Sequence, residues 1–235
     1  MTAPGFFTGL PPHWLPHPAV PVRILVAAHQ AFASAIQAIR QSGFNLAKAR
    51  EEELTHRIYT TLTDTLLPSG TVAGFDSRRF GRVQCSPEVL THDGTRRVFP
   101  DLLLVLLRRD QPGILSSQDG IFTECKPVDG KHAVGAHYCD KGISRFVDGN
   151  YAWAMQDGLM VAYVRGARTV ASDLTPALAA RQGSLGFPAP PSITRSAAIG
   201  QGEPLHLTVH RRNFPWPNRV QADPIRLYHS WHKCE

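Results

Sequence analysis

The run Leu102-Leu103-Leu104-Val105-Leu106-Leu107 has no polar residue at either parity. A strand with one wet face would alternate, so this run reads as a strand covered on both faces, in the middle of a sheet. Leu159-Met160-Val161-Ala162-Tyr163-Val164, closed by Arg165-Gly166, reads the same way. Between them lies a shorter apolar strand, Gly120-Ile121-Phe122-Thr123-Glu124-Cys125-Lys126. It is joined to the first by Arg108-Arg109-Asp110-Gln111-Pro112-Gly113 and a Ser/Gln/Asp-rich stretch, which reads as a hairpin connection. A helix expected from about His137 to Gln156 crosses back to the Leu159 strand, which implies parallel pairing. The class is therefore α/β, with a central mixed sheet flanked by helices.

The remaining elements are less constrained. Residues 1–21 hold six prolines and Trp14 and read as an extended arm, leaving residues 22–235 as a single domain. Val22 to Arg40 predicts a first helix, stopped near Ser42-Gly43. Asn45 is a fitting N-cap for a second, which runs to about Leu67 and stops at Pro68-Ser69-Gly70. The apolar stripe of that helix is Leu54, Ile58, Leu62 and Leu66, and Glu51 shares its face. Gly81–Gln84 predicts an edge strand, and Thr91–Thr95 a tight turn centred on Asp93-Gly94. Asp173–Arg181 predicts a short helix, 183–204 a loop, and Leu205–His210 and Ile225–Trp231 further strands. His206, His210, His229 and His232 recur at strand spacing without an acid or thiol companion. A metal cluster is conceivable, but they read first as structural or surface histidines.

Side chains alternate across a strand, so Glu124 and Lys126 share one face and Cys125 takes the other. If the Asp101 and Glu124 strands pair, two carboxylates and one lysine converge at a sheet edge. That donor set suits a hard divalent cation and an activated water.

Pro100-Asp101 followed by Glu124-Cys125-Lys126, with Glu124 23 positions after Asp101, resembles the P-D-(D/E)-x-K nuclease superfamily. The resemblance covers roughly residues 45–165. It implies a restriction-endonuclease-like αβββαβ core; residues 166–235, which it does not cover, read as a C-terminal elaboration carrying extra strands. It implies that Asp101 and Glu124 bind Mg²⁺ or Mn²⁺, with the Cys125 carbonyl as an additional ligand. Lys126 would orient the attacking water and offset charge in the transition state. A glutamate of the first core helix would join the metal site, Glu51 by phase and Glu52 as the second choice. Against that stands a plain reading of Glu51-Glu52-Glu53 as a solvated acidic helix start.

The formal net charge is +6, and the cations are 20 Arg against 5 Lys. Arginine is the better bidentate phosphate ligand, which suits a nucleic-acid partner, DNA ahead of RNA; a GC-rich genome would give the same bias. Lys131 and His132, in the loop leaving the Glu-Cys-Lys strand, and Lys141 and Arg145, four apart on the next helix, are the candidate nucleic-acid contacts. The four cysteines form no C-x-x-C pair and read as free thiols of a cytoplasmic protein. Ile24–Ala28 is too short and interrupted for a membrane span. The expected function is a metal-dependent nuclease, in a setting such as bacterial antiviral defence, restriction or repair. A catalytically silent nucleic-acid-binding module of the same fold and an interaction subunit stand as the alternatives. A homodimer or a partner protein is compatible with residues 1–44 and 183–235, which carry no motif.

Overall fold

The Leu102 run is an inner strand of a seven-stranded mixed sheet. The computed structural model describes residues 15–108, 119–186, 190–194, 204–216 and 219–235. Trp14 and most of the proline-rich arm, the hairpin connection from Arg109 to residue 118, and most of the expected 183–204 loop lie outside the described residues.

The elements run in the order α1 (Val22–Gln41), α2 (Glu51–Thr61), α3 (Leu67–Ser69), β1 (Phe80–Cys85), β2 (Val89–Leu90), β3 (Arg97–Val98), β4 (Leu102–Leu106) and β5 (Gly120–Val128). There follow α4 (Ser144–Val147), β6 (Asp157–Val164), α5 (Thr175–Ala179), α6 (Gln182–Leu185), β7 (Ser192–Ile193), β8 (His206–His210) and β9 (Ile225–Lys233). A π-helical turn, Leu62–Leu66, joins α2 to α3, and a π-helical stretch, Val134–Ile143, leads into α4. The sheet order is β1-β4-β5-β6-β9-β8-β7, and β2 and β3 form a separate hairpin around the Asp93-Gly94 turn. β5, β6 and β9 are parallel; the remaining pairs in the large sheet are antiparallel. The last strand of the chain is thus an inner strand beside β6.

The strand register assigns the two helical layers. Tyr163, on β6, bonds Thr55 of α2 at 2.9 Å, and Ser230, on β9, bonds His29 of α1 at 2.7 Å. On the other face, His229 bonds Tyr138 of the π-helical stretch at 3.0 Å. α1 is long and apolar enough to cross a membrane by length and composition, beyond what Ile24–Ala28 alone suggested; here its apolar residues, from Ile24 to Ile39, pack into the core.

Three expectations change. α2 starts at Glu51, not after Asn45, whose side chain accepts only from Lys48 N–H in a short turn. The Arg165 guanidinium donates to the carbonyls of Leu46 (3.2 Å) and Ala49 (2.6 Å), which a helix through this segment would need for itself. The expected His137–Gln156 helix ends at Val147. Gly149 turns the chain at φ +68°, where a Cβ would stand 2.7 Å from the Phe214 ring, so Trp153 and Ala154 pack with Phe214 and Trp216 in a second small core instead. The described part of the arm is not a loose appendage either. His17 and Val20 are buried, and Pro18 and Ala19 carbonyls accept from Arg108.

Three of the four recurrent histidines, His210, His229 and His232, are buried and hydrogen-bonded within the core, whereas His206 is half-buried. Trp231 Nε1 donates to Tyr138 Oη (3.2 Å), which donates to His229 Nδ1 (3.0 Å); His229 Nε2 donates to Thr208 Oγ1 (2.7 Å), which donates to His210 Nε2 (2.7 Å); and His210 Nδ1 donates to the Leu185 carbonyl (2.8 Å). The indole can only donate and the carbonyl only accept, so with both rings neutral the chain runs one way. Burial holds His17 and His210 down to about 4, His232 down to about 3, and His229 well below its ordinary value. The unfolded chain therefore binds protons first. The stability that these four contribute is complete above about pH 6.5 and is lost as pH falls toward 4, by up to about 1.4 kcal/mol per histidine per pH unit. Burial pushes the Glu124 and Asp119 carboxyls up, which works in the opposite sense, but four groups outweigh two. Urea denaturation at pH 7.5 and pH 5 should show a lower midpoint at pH 5. Equal midpoints would refute neutral burial of the histidines.

Candidate functional site

The site is built where β5 outruns its neighbour. β4 pairs with β5 only from Leu102 opposite Thr123 to Val105 opposite Gly120, whereas β6 pairs with β5 from Thr123 to Val128. Residues 124–128 of β5 therefore have a strand on one side and none on the other. Pro127 is tolerated inside the strand on that account, since its missing N–H faces no ladder. This continuation to Val128 also corrects the expectation that the strand stops at Lys126. Asp101, the residue before β4, takes the place of the missing strand: its Oδ2 accepts from Cys125 N–H at 2.7 Å.

Lys126 is the centre of the cluster. Its ammonium lies 2.7 Å from Glu51 Oε1, 3.0 Å from Glu124 Oε1 and 3.6 Å from Asp101 Oδ2, and it donates to the Cys125 carbonyl at 2.9 Å. Glu51 reaches it as the first residue of α2, a position where a carboxylate also meets the positive end of the helix dipole. Glu52 is exposed and makes no part of the cluster, so Glu51 is the helix acid that joins it. Beneath, the Cys125 thiol is buried on the opposite face with Tyr163, as the alternation requires.

Burial sets the electrostatics. Glu124 is 5 % exposed, and burial, reinforced by the Asp101 charge, pushes its carboxyl up to about 8 against the pull of Lys126 and Arg145. The three carboxylates hold the Lys126 ammonium well above the usual lysine range, overcoming its burial. The cluster is thus an ammonium with more acid around it than one cation neutralises. Glu124 Oε2 is buried without a hydrogen-bond partner.

These residues fit a hard divalent cation by chemistry: carboxylate oxygens, a backbone carbonyl and an unpartnered buried oxygen. Among the described residues, however, no three Asp, Glu, His or Cys side chains surround an open point for an ion. The point on which Asp101 Oδ2, Glu124 Oε1 and Glu51 Oε1 converge is taken by Lys126 Nζ.

The nucleic-acid candidates separate. Arg145 is half-buried, and its charge acts on both Glu124 and Tyr151. Lys131 and Lys141 are exposed. His132 is engaged by Asp129, which accepts from its backbone N–H at 2.9 Å and lies 2.8 Å from its Nδ1. Two residues escape a sequence reading. Tyr151, buried beside the cluster, donates to the Phe99 carbonyl at 2.9 Å, and Phe99 itself is 54 % exposed. Tyr151 was hidden in an expected helix. Phe99 lies outside β4, which begins at Leu102.

Compared with known proteins, the chain matches no family model, no curated protein and no solved structure.

Proposed function

We propose that this protein is a metal-dependent nuclease of the P-D-(D/E)-x-K type, hydrolysing phosphodiester bonds in DNA ahead of RNA. The observation that carries the reading is the convergence of Asp101, Glu124 and Lys126, joined by Glu51, on the uncovered edge of β5. The order α2, β1, β4, β5, α4, β6, with β1, β4 and β5 antiparallel and β6 parallel to β5, supports a restriction-endonuclease-like core. With the resemblance comes a cytoplasmic setting of bacterial defence, restriction or repair.

Asp101, Glu124, Glu51 and the Cys125 carbonyl would hold Mg²⁺ or Mn²⁺. A cation bound there supplies a water of lowered pKa and a clamp on a phosphate oxygen. Asp101 is fixed for its part by the Cys125 N–H, so its carboxylate is positioned before substrate arrives. Lys126 would orient the attacking water and offset charge growing on the phosphate. Arg145, close enough to bias Glu124, adds positive charge on the approach.

A second reading, a silent binding module, has one observation in its favour: Lys126 already engages all three acids without a metal. Cleavage separates the two. Supercoiled plasmid, linear duplex, single-stranded DNA and RNA are incubated in Mg²⁺, Mn²⁺ or EDTA with wild type, Asp101→Ala and Lys126→Ala. We expect metal-dependent cutting that falls by about 100-fold or more in both variants. Cutting that survives both substitutions, or nucleic-acid binding without cutting in either metal, refutes the nuclease reading.

A further inference from the structure

We infer that Phe99 is a base-stacking residue and that the preferred substrate is a strand with an unpaired nucleotide next to the scissile phosphate. The inference rests on the nuclease reading and names the substrate class of the same site.

Phe99 is 54 % exposed, although Val98 before it and Pro100 after it are buried. The backbone at this point is held from both sides. Val98 is in the β2–β3 hairpin, and the Phe99 carbonyl accepts from Tyr151 Oη at 2.9 Å. The ring is therefore presented outward by a rigid frame. Among the described residues no other aromatic side chain is a large exposed hydrophobic group.

Its surroundings select the partner. Phe99 lies two residues before Asp101, and the tyrosine that holds its carbonyl feels the charges of Glu124, Arg145, Asp101 and Lys126. Arg96 and Arg97, next to it in sequence, are exposed; Arg97 has 70 % of its side chain in solvent, with Glu88 at 3.2 Å, and Arg96 reaches Asn150 at 2.9 Å. An exposed ring between arginines and a phosphodiester-cleaving centre matches the way single strands are gripped, with cations on the backbone and an aromatic face on a base. In a duplex the base faces are already stacked on one another, so the ring gains a contact only with an unpaired nucleotide.

The test uses the full chain as wild type, Phe99→Ala and Phe99→Trp. Labelled single-stranded and blunt duplex DNA of one sequence are compared, by cleavage rate in Mg²⁺ and by fluorescence anisotropy in Ca²⁺, with melting temperatures as a check on folding. We expect wild type to prefer the single strand, Phe99→Ala to lower the single-strand-to-duplex ratio about tenfold, and Phe99→Trp to restore it. A ratio unchanged in Phe99→Ala, with wild type cutting both substrates, overturns the stacking role and leaves the nuclease reading standing. A wild type that cuts neither substrate overturns the nuclease reading, and this inference with it.

Discussion

Lys126→Met should lower the stability of the protein by about 3–5 kcal/mol at neutral pH, the cost of removing one partner from a buried ion cluster. The side chains involved are 13 % (Lys126), 6 % (Glu124), 26 % (Asp101) and 31 % (Glu51) exposed, so water compensates poorly for the lost ammonium. Methionine keeps most of the apolar body of the side chain and removes the ammonium together with its donors to Glu51 and the Cys125 carbonyl. The three acids are then left facing one another with Cys125 N–H as the remaining donor to Asp101. Mg²⁺ should recover much of the loss, because it supplies positive charge at the point that Lys126 Nζ had filled. The measurement is calorimetric melting of wild type and variant, each in EDTA and in Mg²⁺. A variant as stable as wild type and blind to Mg²⁺ would show that the acids neither need the ammonium nor accept a cation.

Asp157→Ala should cost a similar amount, for a reason unconnected with the site. Asp157 is fully buried at the start of β6; it accepts from Arg226 Nε at 2.8 Å and Nη2 at 2.9 Å, and from Val20 N–H at 2.8 Å. One carboxylate thus ties the arm that precedes α1 to two neighbouring parallel strands. Removing it leaves the guanidinium and a backbone donor without their acceptor. At this chain length, about 3–5 kcal/mol lowers the melting temperature by about 10 °C. Arg226→Ala should do comparable damage, and the double variant should lose less than the sum of the two, since both break one contact set. Strict additivity would mean that the pair contributes no coupling. The proposed nuclease activity, measured below the melting point, should survive Asp157→Ala, which separates this anchor from the Lys126 cluster.

The inner strands were legible from local pattern alone. An unbroken apolar run fits only where both faces are covered, so Leu102–Leu104 and Leu159–Val164 declared their burial without reference to any partner; the end of the first run departs from this, with Val105 and Leu106 half-buried and Leu107 exposed. The alternation of Glu124, Cys125 and Lys126 was equally legible, because a period of two is a property of the extended backbone itself. Asp101 and Glu124 could be brought together on paper, since pairing follows once the residues between the two apolar runs are read as a hairpin connection, although that connection is long for a hairpin. By the same local logic, histidines without acid or thiol companions read as structural, and in the fold His229 and His210 lie in one buried hydrogen-bond chain.

Helix starts and loop contents were decided by partners far away in the chain. Asn45 looked like a cap, but Arg165 claims the carbonyls that would extend the helix, and no feature near Asn45 announces this. The break at Gly149 depends on Phe214 and His92 standing where a Cβ would go. Tyr151 therefore leaves its expected helix for the edge of the site.

From the sequence alone came the α/β class, the strand-borne acids and the lysine between them, because each depends on residue type and periodicity within a few positions. The tertiary structure decided that β5 outruns β4 and opens an edge, that Glu51 rather than Glu52 reaches it, that Lys126 sits at the centre of three acids, and that Phe99 stands outside. These depend on register and on contacts between residues up to 75 positions apart in the site cluster. Such contacts are set by which surfaces pack together, and local preference carries no record of that.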